Sequence, residues 1–270
     1  MICALVVRIR MDSPPQISVL QTVWQWWTYA ARYEGALAAT RRLAGVLWEF
    51  VRDSTPDRLR ARFGDAEYDW DYRVNTTSGA VGWRDRLLGM FHSAYQPTEP
   101  VAFHEMLDAL QQSLQRTPGP GHTTLGTALN FRDFTFIDLG SGKGRTLLMA
   151  SDYPFRRILG VELLPSLHQI AQENLRQYKN ESQKCFVLES ICADATAFHL
   201  PADPLVIFLF NPFPESGMRQ VVANLDQSLR EHPRPVYVLY HNPLLEHTMG
   251  ESKKLRKIAG EQQYSLFTNH

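Results

Sequence analysis

The chain has 270 residues, 44% hydrophobic and 21% charged, with 28 basic side chains balancing 28 acidic ones. This composition excludes a disordered chain, and the length allows one sizeable α/β domain with an extension or two small domains. Zero net charge disfavours a partner gripped through a long run of phosphates, although a local basic patch stays open.

The first residues, MICALVVRIRMDSPPQ, hold an apolar run too short to span a bilayer and lacking a small-residue cleavage site, so no signal peptide is read. Met11 is an alternative start. The three cysteines, Cys3, Cys185 and Cys192, fit neither a disulfide framework nor a zinc site, and a reducing cytoplasmic setting is expected.

Residues 16–53 are predicted helical, with Gly35 as a break. Leu20, Trp24, Trp27 and Ala31 form one stripe, and Leu37, Ala44, Leu47 and Val51 another. A helical cap packed on the main domain is preferred to a membrane-surface or partner-binding helix, because the arginines form no lipid-facing array. Residues 63–89 are acidic and aromatic, then rich in turn formers. A solvated connector is the default there, and a pocket wall for a cationic substrate the alternative. Residues 101–115 read as a helix with Phe103, Met106, Leu107, Leu110 and Leu114 on one face, followed by a flexible loop.

From Phe134 onward strands and helices alternate. The strand FTFIDL leads to a glycine loop and a helix, and RILGVEL leads to the helix PSLHQIAQENLRQY. A strand or two lies in KCFVLESICADA. LVIFLFNP leads to the helix SGMRQVVANLDQSLRE, PVYVLYHNP follows, and KLRKIA with QYSLFT closes the chain. Near-continuous apolar strands separated by helices predict a doubly wound, mostly parallel α/β sheet. The expected division is 1–94, a helical extension, and 95–270, the sheet domain.

The glycine loop has three possible readings. A P-loop requires Ser or Thr after Gly-Lys, where Gly144 stands. A dinucleotide fingerprint requires glycine where Arg145 stands. The remaining pattern is Asp138, Leu139, Gly140, Ser141, Gly142, Lys143, Gly144. It resembles the first motif of class I S-adenosylmethionine-dependent methyltransferases, an acid at a strand end followed by spaced glycines. The ligand is cationic and carries no phosphate, so an acid beside a Cβ-free backbone suits it. Glu162 ends the next strand 24 residues after Asp138, about where nucleotide-binding sheets place the acid for the ribose hydroxyls.

The resemblance implies further site residues. Asp194 would hold the adenine amino group, with Ala195 against the ring. Asn211, Pro212 and Phe213 are similar to a shortened Asn-Pro-Pro-Tyr/Phe motif, which implies a hydrogen-bond acceptor and an aromatic floor for a target nitrogen. Only one proline is present, which sets the segment apart from enzymes acting on bases or amides. Tyr95, with Pro97 and Thr98, is similar to a Tyr-x-Pro segment that closes over the cofactor's methionine part. His241, with Tyr240 and Asn242, lies at the end of the fifth strand and is a possible base. Lys143 and Arg145 are expected to project into solvent or toward an acidic neighbour.

The resemblance covers roughly 95–245, and its motifs are similar to those of a bacterial group related to the non-SET histone-lysine methyltransferases. It implies a seven-stranded Rossmann-like sheet and S-adenosyl-L-methionine as cofactor. It also implies methyl transfer to a nitrogen of a protein side chain or small molecule. RNA or DNA methylation is the alternative. An NAD-dependent oxidoreductase, or a cofactor-binding module without turnover, is a further one. No metal site and no transmembrane segment are expected.

Overall fold

The computed structural model describes residues 18–53, 66–77, 87, 96–116 and 129–270. Among them are α1 (Val19–Glu34), α2 (Ala36–Asp53), α3 (Ala66–Tyr72) and α4 (Pro100–Arg116), ahead of the sheet. The sheet domain then runs β1 (Thr135–Leu139), α5 (Arg145–Ala150), β2 (Arg157–Glu162), α6 (Pro165–Gln177), β3 (Leu188–Cys192) and β4 (Leu205–Phe210). It ends with α7 (Glu215–Glu231), β5 (Val236–His241), α8 (Glu246–Met249), β6 (Arg256–Gly260) and β7 (Tyr264–Thr268).

The seven strands lie in the order β3-β2-β1-β4-β5-β7-β6. The first five are mutually parallel, and β7 runs antiparallel to β5 and to β6. The expected doubly wound, mostly parallel seven-stranded α/β sheet is present. Its apolar strands follow from burial on both faces. Phe136 and Phe208 face one core with Phe103, Met106, Leu107 and Leu110 of α4. Ile137, Leu139, Ile207 and Leu209 face the other core with Met218, Val221, Val222, Leu225 and Leu229 of α7. The sheet reverses its winding between β1 and β4, which opens a crevice at the carboxyl ends of the strands.

The N-terminal helices depart from expectation. Gly35, at a φ of 84°, separates α1 from α2, and Trp27 Nε1 donates to Thr40 Oγ1 across the pair at 3.1 Å. The two helices meet through small side chains, with Thr22, Ala30 and Ala39 buried. Much of the stripes expected to face inward is exposed, Leu20 at 81%, Trp24 at 65% and Leu37 at 69%, with Trp27 and Ala31 half-buried. Among the described residues the principal contacts of the pair are with each other. No helix of the described residues is long and apolar enough to cross a membrane.

Residues 66–77 also differ from a solvated connector. Tyr68 joins the α4-side core, with Tyr72 and Val74 packed against it. Thr76 and Thr77 are buried. The segment is therefore built into the sheet domain.

Candidate functional site

The crevice holds a cavity of about 290 Å³ over the ends of β1, β2 and β4. Asp138, Gly140, Ser141, Gly142, Glu162, Asp194, Ala195, Pro212 and Phe213 line it. Pro97 and Thr98 form another wall. Tyr95 lies outside the described residues.

The turn after β1 is possible because three glycines adopt left-handed backbone conformations, Gly140 at φ 94°, Gly142 at 53° and Gly144 at 82°. At Gly140 a side chain is doubly excluded, since a Cβ there would lie 2.4 Å from Pro212 Cβ. The glycine loop is thereby pressed against the segment following β4. Gly144 does not line the cavity; its amide turns the loop by donating to the Ser141 carbonyl at 2.8 Å. The Ser141 hydroxyl is buried at the wall with no hydrogen-bond partner among the described residues.

Two carboxyl groups face this loop. Glu162 is buried, and its Oε2 accepts from Gly142 N at 2.8 Å while its Oε1 accepts from Leu164 N at 2.8 Å. Asp138 is buried too, and burial pushes its pKa up to about 8. The Thr146 side chain opposes that rise and the nearby Glu162 carboxylate adds to it. Asp194 caps the short turn Ala195–Ala197, its Oδ1 accepting from Thr196 N at 2.8 Å and from Thr196 Oγ1 at 2.7 Å. It is thus both a turn former and a cavity wall.

At the ends of β4 and β5 two asparagines adopt left-handed backbones, Asn211 at φ 43° and Asn242 at 46°. Such conformations cost a non-glycine residue about 1–3 kcal/mol and concentrate at functional sites. Asn211 Nδ2 donates to the Asn242 carbonyl at 2.5 Å, and Tyr240 Oη donates to Asn211 Oδ1 at 2.9 Å. The Asn211 amide is thus turned toward β5, behind the cavity-lining Phe210 and Pro212. His241 packs edge-on against Phe210 at 4.4 Å between ring centroids. Its Nδ1 is buried without a partner among the described residues, and burial pulls its pKa down. Neither Asn211 nor His241 lines the cavity; they support the wall from outside.

Of the two expectations for Lys143 and Arg145, solvent is not met, while an acidic neighbour is found for Arg145 in Asp69. Both are fully buried. Lys143 Nζ donates to Asn75 Oδ1 at 2.9 Å and to the Thr77 carbonyl at 2.6 Å. Arg145 Nε donates to Thr76 Oγ1 at 2.6 Å, and its guanidinium lies 4.7 Å from the Tyr68 ring centre and 3.5 Å from Asp69 Oδ1. Their partners sit in residues 68–77, whose docking was not read from the sequence. Arg145, Thr146, Phe208 and Phe210 line the cavity as well and were missed. Phe210 alone carried a signal, as the aromatic before Asn211 at a strand end.

The strand order and the crevice define a Rossmann-like methyltransferase fold. No protein-family model matches the sequence, and no curated protein matches it. Solved structures do. An RNA methyltransferase from Salinibacter ruber, solved with S-adenosyl-L-homocysteine, is 20% identical with a TM-score of 0.40, over 64% of this chain and 92% of that one. A TehB-like SAM-dependent methyltransferase from Corynebacterium glutamicum is 13% identical with a TM-score of 0.39, over 70% and 94%. The human methyltransferase 10 domain containing protein is 12% identical with a TM-score of 0.44, over 79% and 96%. These are likenesses of fold.

Proposed function

We propose that this protein is an S-adenosyl-L-methionine-dependent methyltransferase acting on a nitrogen. One observation carries the reading. A Cβ-free loop and two buried carboxyl groups, Asp138 and Glu162, meet in one cavity whose far wall is Pro212 and Phe213. That donor set suits a cationic nucleoside better than a phosphorylated one, because a carboxylate repels phosphate. The buried, unpartnered Ser141 hydroxyl offers the loop one further polar contact.

In this reading Glu162 holds the ribose hydroxyls, Asp138 faces the cationic amino-acid end, and Asp194 with Ala195 borders the adenine. Gly140, Ser141, Gly142 and Gly144 shape the loop. The cofactor supplies an activated methyl group on a sulfonium. The protein's own work is to hold the acceptor in line and exclude water, positioning that can contribute several kcal/mol. Phe210, Pro212 and Phe213 provide an apolar floor for that purpose. Tyr240 and the Asn242 carbonyl fix the Asn211 amide behind that floor, so that Asn211 holds in place the wall against which the acceptor nitrogen would sit. His241, whose pKa burial pulls down, backs that floor through Phe210.

The acceptor is a methylatable nitrogen. A protein side chain or small molecule follows from the motif resemblance, including that to the bacterial group related to non-SET histone-lysine methyltransferases. RNA is the acceptor class stated for the Salinibacter enzyme, and a nucleic-acid nitrogen is the alternative acceptor. A likeness of fold does not select between them, so experiment must. Incubating the protein with methyl-labelled S-adenosylmethionine and cell extract, then separating protein, nucleic acid and metabolites, identifies the acceptor class by where label accumulates. Calorimetry with S-adenosylhomocysteine and with NAD tests the cofactor. Binding of NAD alone would overturn the methyltransferase reading and leave an oxidoreductase.

A further inference from the structure

Behind the cavity, a polar bracket joins the glycine loop to chain segments far away in sequence. Asn174, on the inner face of α6, is 2% exposed. Its Nδ2 donates to the Lys143 carbonyl at 2.9 Å and to the Asn75 carbonyl at 2.9 Å, and its Oδ1 accepts from Asn75 N at 2.8 Å. Asp69 closes the other side. Its Oδ2 accepts from Thr76 N at 2.7 Å and Thr77 N at 2.8 Å, and its Oδ1 accepts from Thr76 Oγ1 and faces Arg145. Asn174 and Asp69 therefore hold residues 75–77 in the shape that receives the Lys143 and Arg145 side chains. None of Asp69, Asn75, Thr76, Thr77 or Asn174 lines the cavity.

A loop with three left-handed glycines has little stiffness of its own, because glycine loses the most backbone freedom on ordering. Ordering it only when ligand arrives would subtract from affinity, whereas a loop already fixed subtracts nothing. The bracket supplies that fixing, since a fully satisfied buried polar network rigidifies what it joins.

We propose that Asn174 and Asp69 are positioning residues for the cofactor: they preorganise the glycine loop through Lys143 and Arg145, and so set cofactor affinity without touching the cofactor. The proposal rests on the methyltransferase reading. It predicts a split in kinetics. Asn174→Asp keeps the acceptor for Asn75 N but turns two donor contacts into oxygen facing oxygen. S-adenosylhomocysteine should bind this variant at least tenfold more weakly. The KM for S-adenosylmethionine should rise in step, and kcat at saturation should stay within about twofold. Leu107→Ala, a core truncation on α4 outside the bracket, is the matched control. It should lower Tm and leave that affinity within twofold.

Amide hydrogen exchange on the unaltered protein gives a second reading that does not depend on a variant folding. Adding S-adenosylhomocysteine should increase protection in residues 69–77 as well as in 140–144. If the wild type binds S-adenosylhomocysteine and protection rises only in 140–144, the coupling is refuted. Wild-type affinity in Asn174→Asp, or an equal loss in Leu107→Ala, refutes it too. If the wild type does not bind S-adenosylhomocysteine at all, the functional reading falls and takes this proposal with it, an outcome distinct from the others.

Discussion

Glu162 Oε2 and the Gly142 amide are 2.8 Å apart, so the acid that ends β2 is bonded to the loop that follows β1. The other oxygen takes the Leu164 amide. The carboxylate thus fixes two backbone turns and also lines the cavity, which makes it structural and ligand-facing at once.

Replacing Glu162 should separate these two duties. Glu162→Ala is expected to weaken S-adenosylhomocysteine binding at least tenfold, about 1.4 kcal/mol, and to lower Tm as well. Glu162→Gln can satisfy only one of the two amides and should fall between Ala and the wild type. Calorimetry and thermal unfolding on the three proteins check the order; unchanged affinity in Glu162→Ala would remove the residue from the site.

Asp138 makes the binding pH-dependent. Its pKa, raised from 3.8 to about 8 by burial first, leaves the carboxyl protonated at neutral pH in the unliganded protein. The folded state then binds more protons than the unfolded state between these values. The group's contribution to stability therefore declines as pH rises from about 4 to about 8. A cationic ligand needs the carboxylate, so its affinity should rise with pH toward about 8 and then level, with a proton released on binding below that point. Asp138→Asn should bind weakly with no such pH dependence, and without ligand should be at least as thermostable as the wild type at pH 8. Titrations in buffers of differing ionisation enthalpy measure the released proton directly.

Gly140→Ala is expected to lose about 2 kcal/mol or more, since the new Cβ is both in a left-handed backbone and against Pro212. Adding Pro212→Gly removes the steric partner and leaves the backbone strain. The double variant should recover part of the stability and part of the cofactor affinity. Full recovery would show that the contact alone matters, and no recovery that the φ angle alone does.

Asn211→Ala should abolish methyl transfer while cofactor binding is largely kept, because its amide faces β5 and not the cavity's cofactor end. Tyr240→Phe removes the hydroxyl that fixes Oδ1 and is expected to reduce kcat by a smaller factor. Turnover with the identified acceptor, set beside S-adenosylhomocysteine affinity, checks both. Full activity in Asn211→Ala would exclude the residue from the mechanism.

The sheet was legible because its central strands β1, β2, β4 and β5 are apolar runs and the helices between them repeat an apolar face. Phe103, Met106, Leu107 and Leu110 are all buried as their spacing predicts. The glycine motif likewise located the crevice. The bracket was not legible, because a buried Lys or Arg has no periodic signature and its hydrogen-bond partners lie 66 to 76 residues away. Asn174 did leave a trace. It continues the buried row of Leu167 and Ala171 on α6, where an apolar residue is expected. The stripes of α1 and α2 misled for the opposite reason. Periodicity shows that a helix has an apolar side, and two short helices touching through alanines leave most of that side uncovered.

Asn75 and Asn174 are 99 positions apart along the chain, yet the rear support of the glycine loop depends on their pairing. Contacts so remote form slowly, because a long stretch of chain must be confined before any stabilisation returns. Strands β1, β2 and β4 can associate through neighbouring parallel pairs well before this tie is made. This tie is therefore expected to close after the sheet, so that a sheet can be assembled while the loop before α5 is still loose.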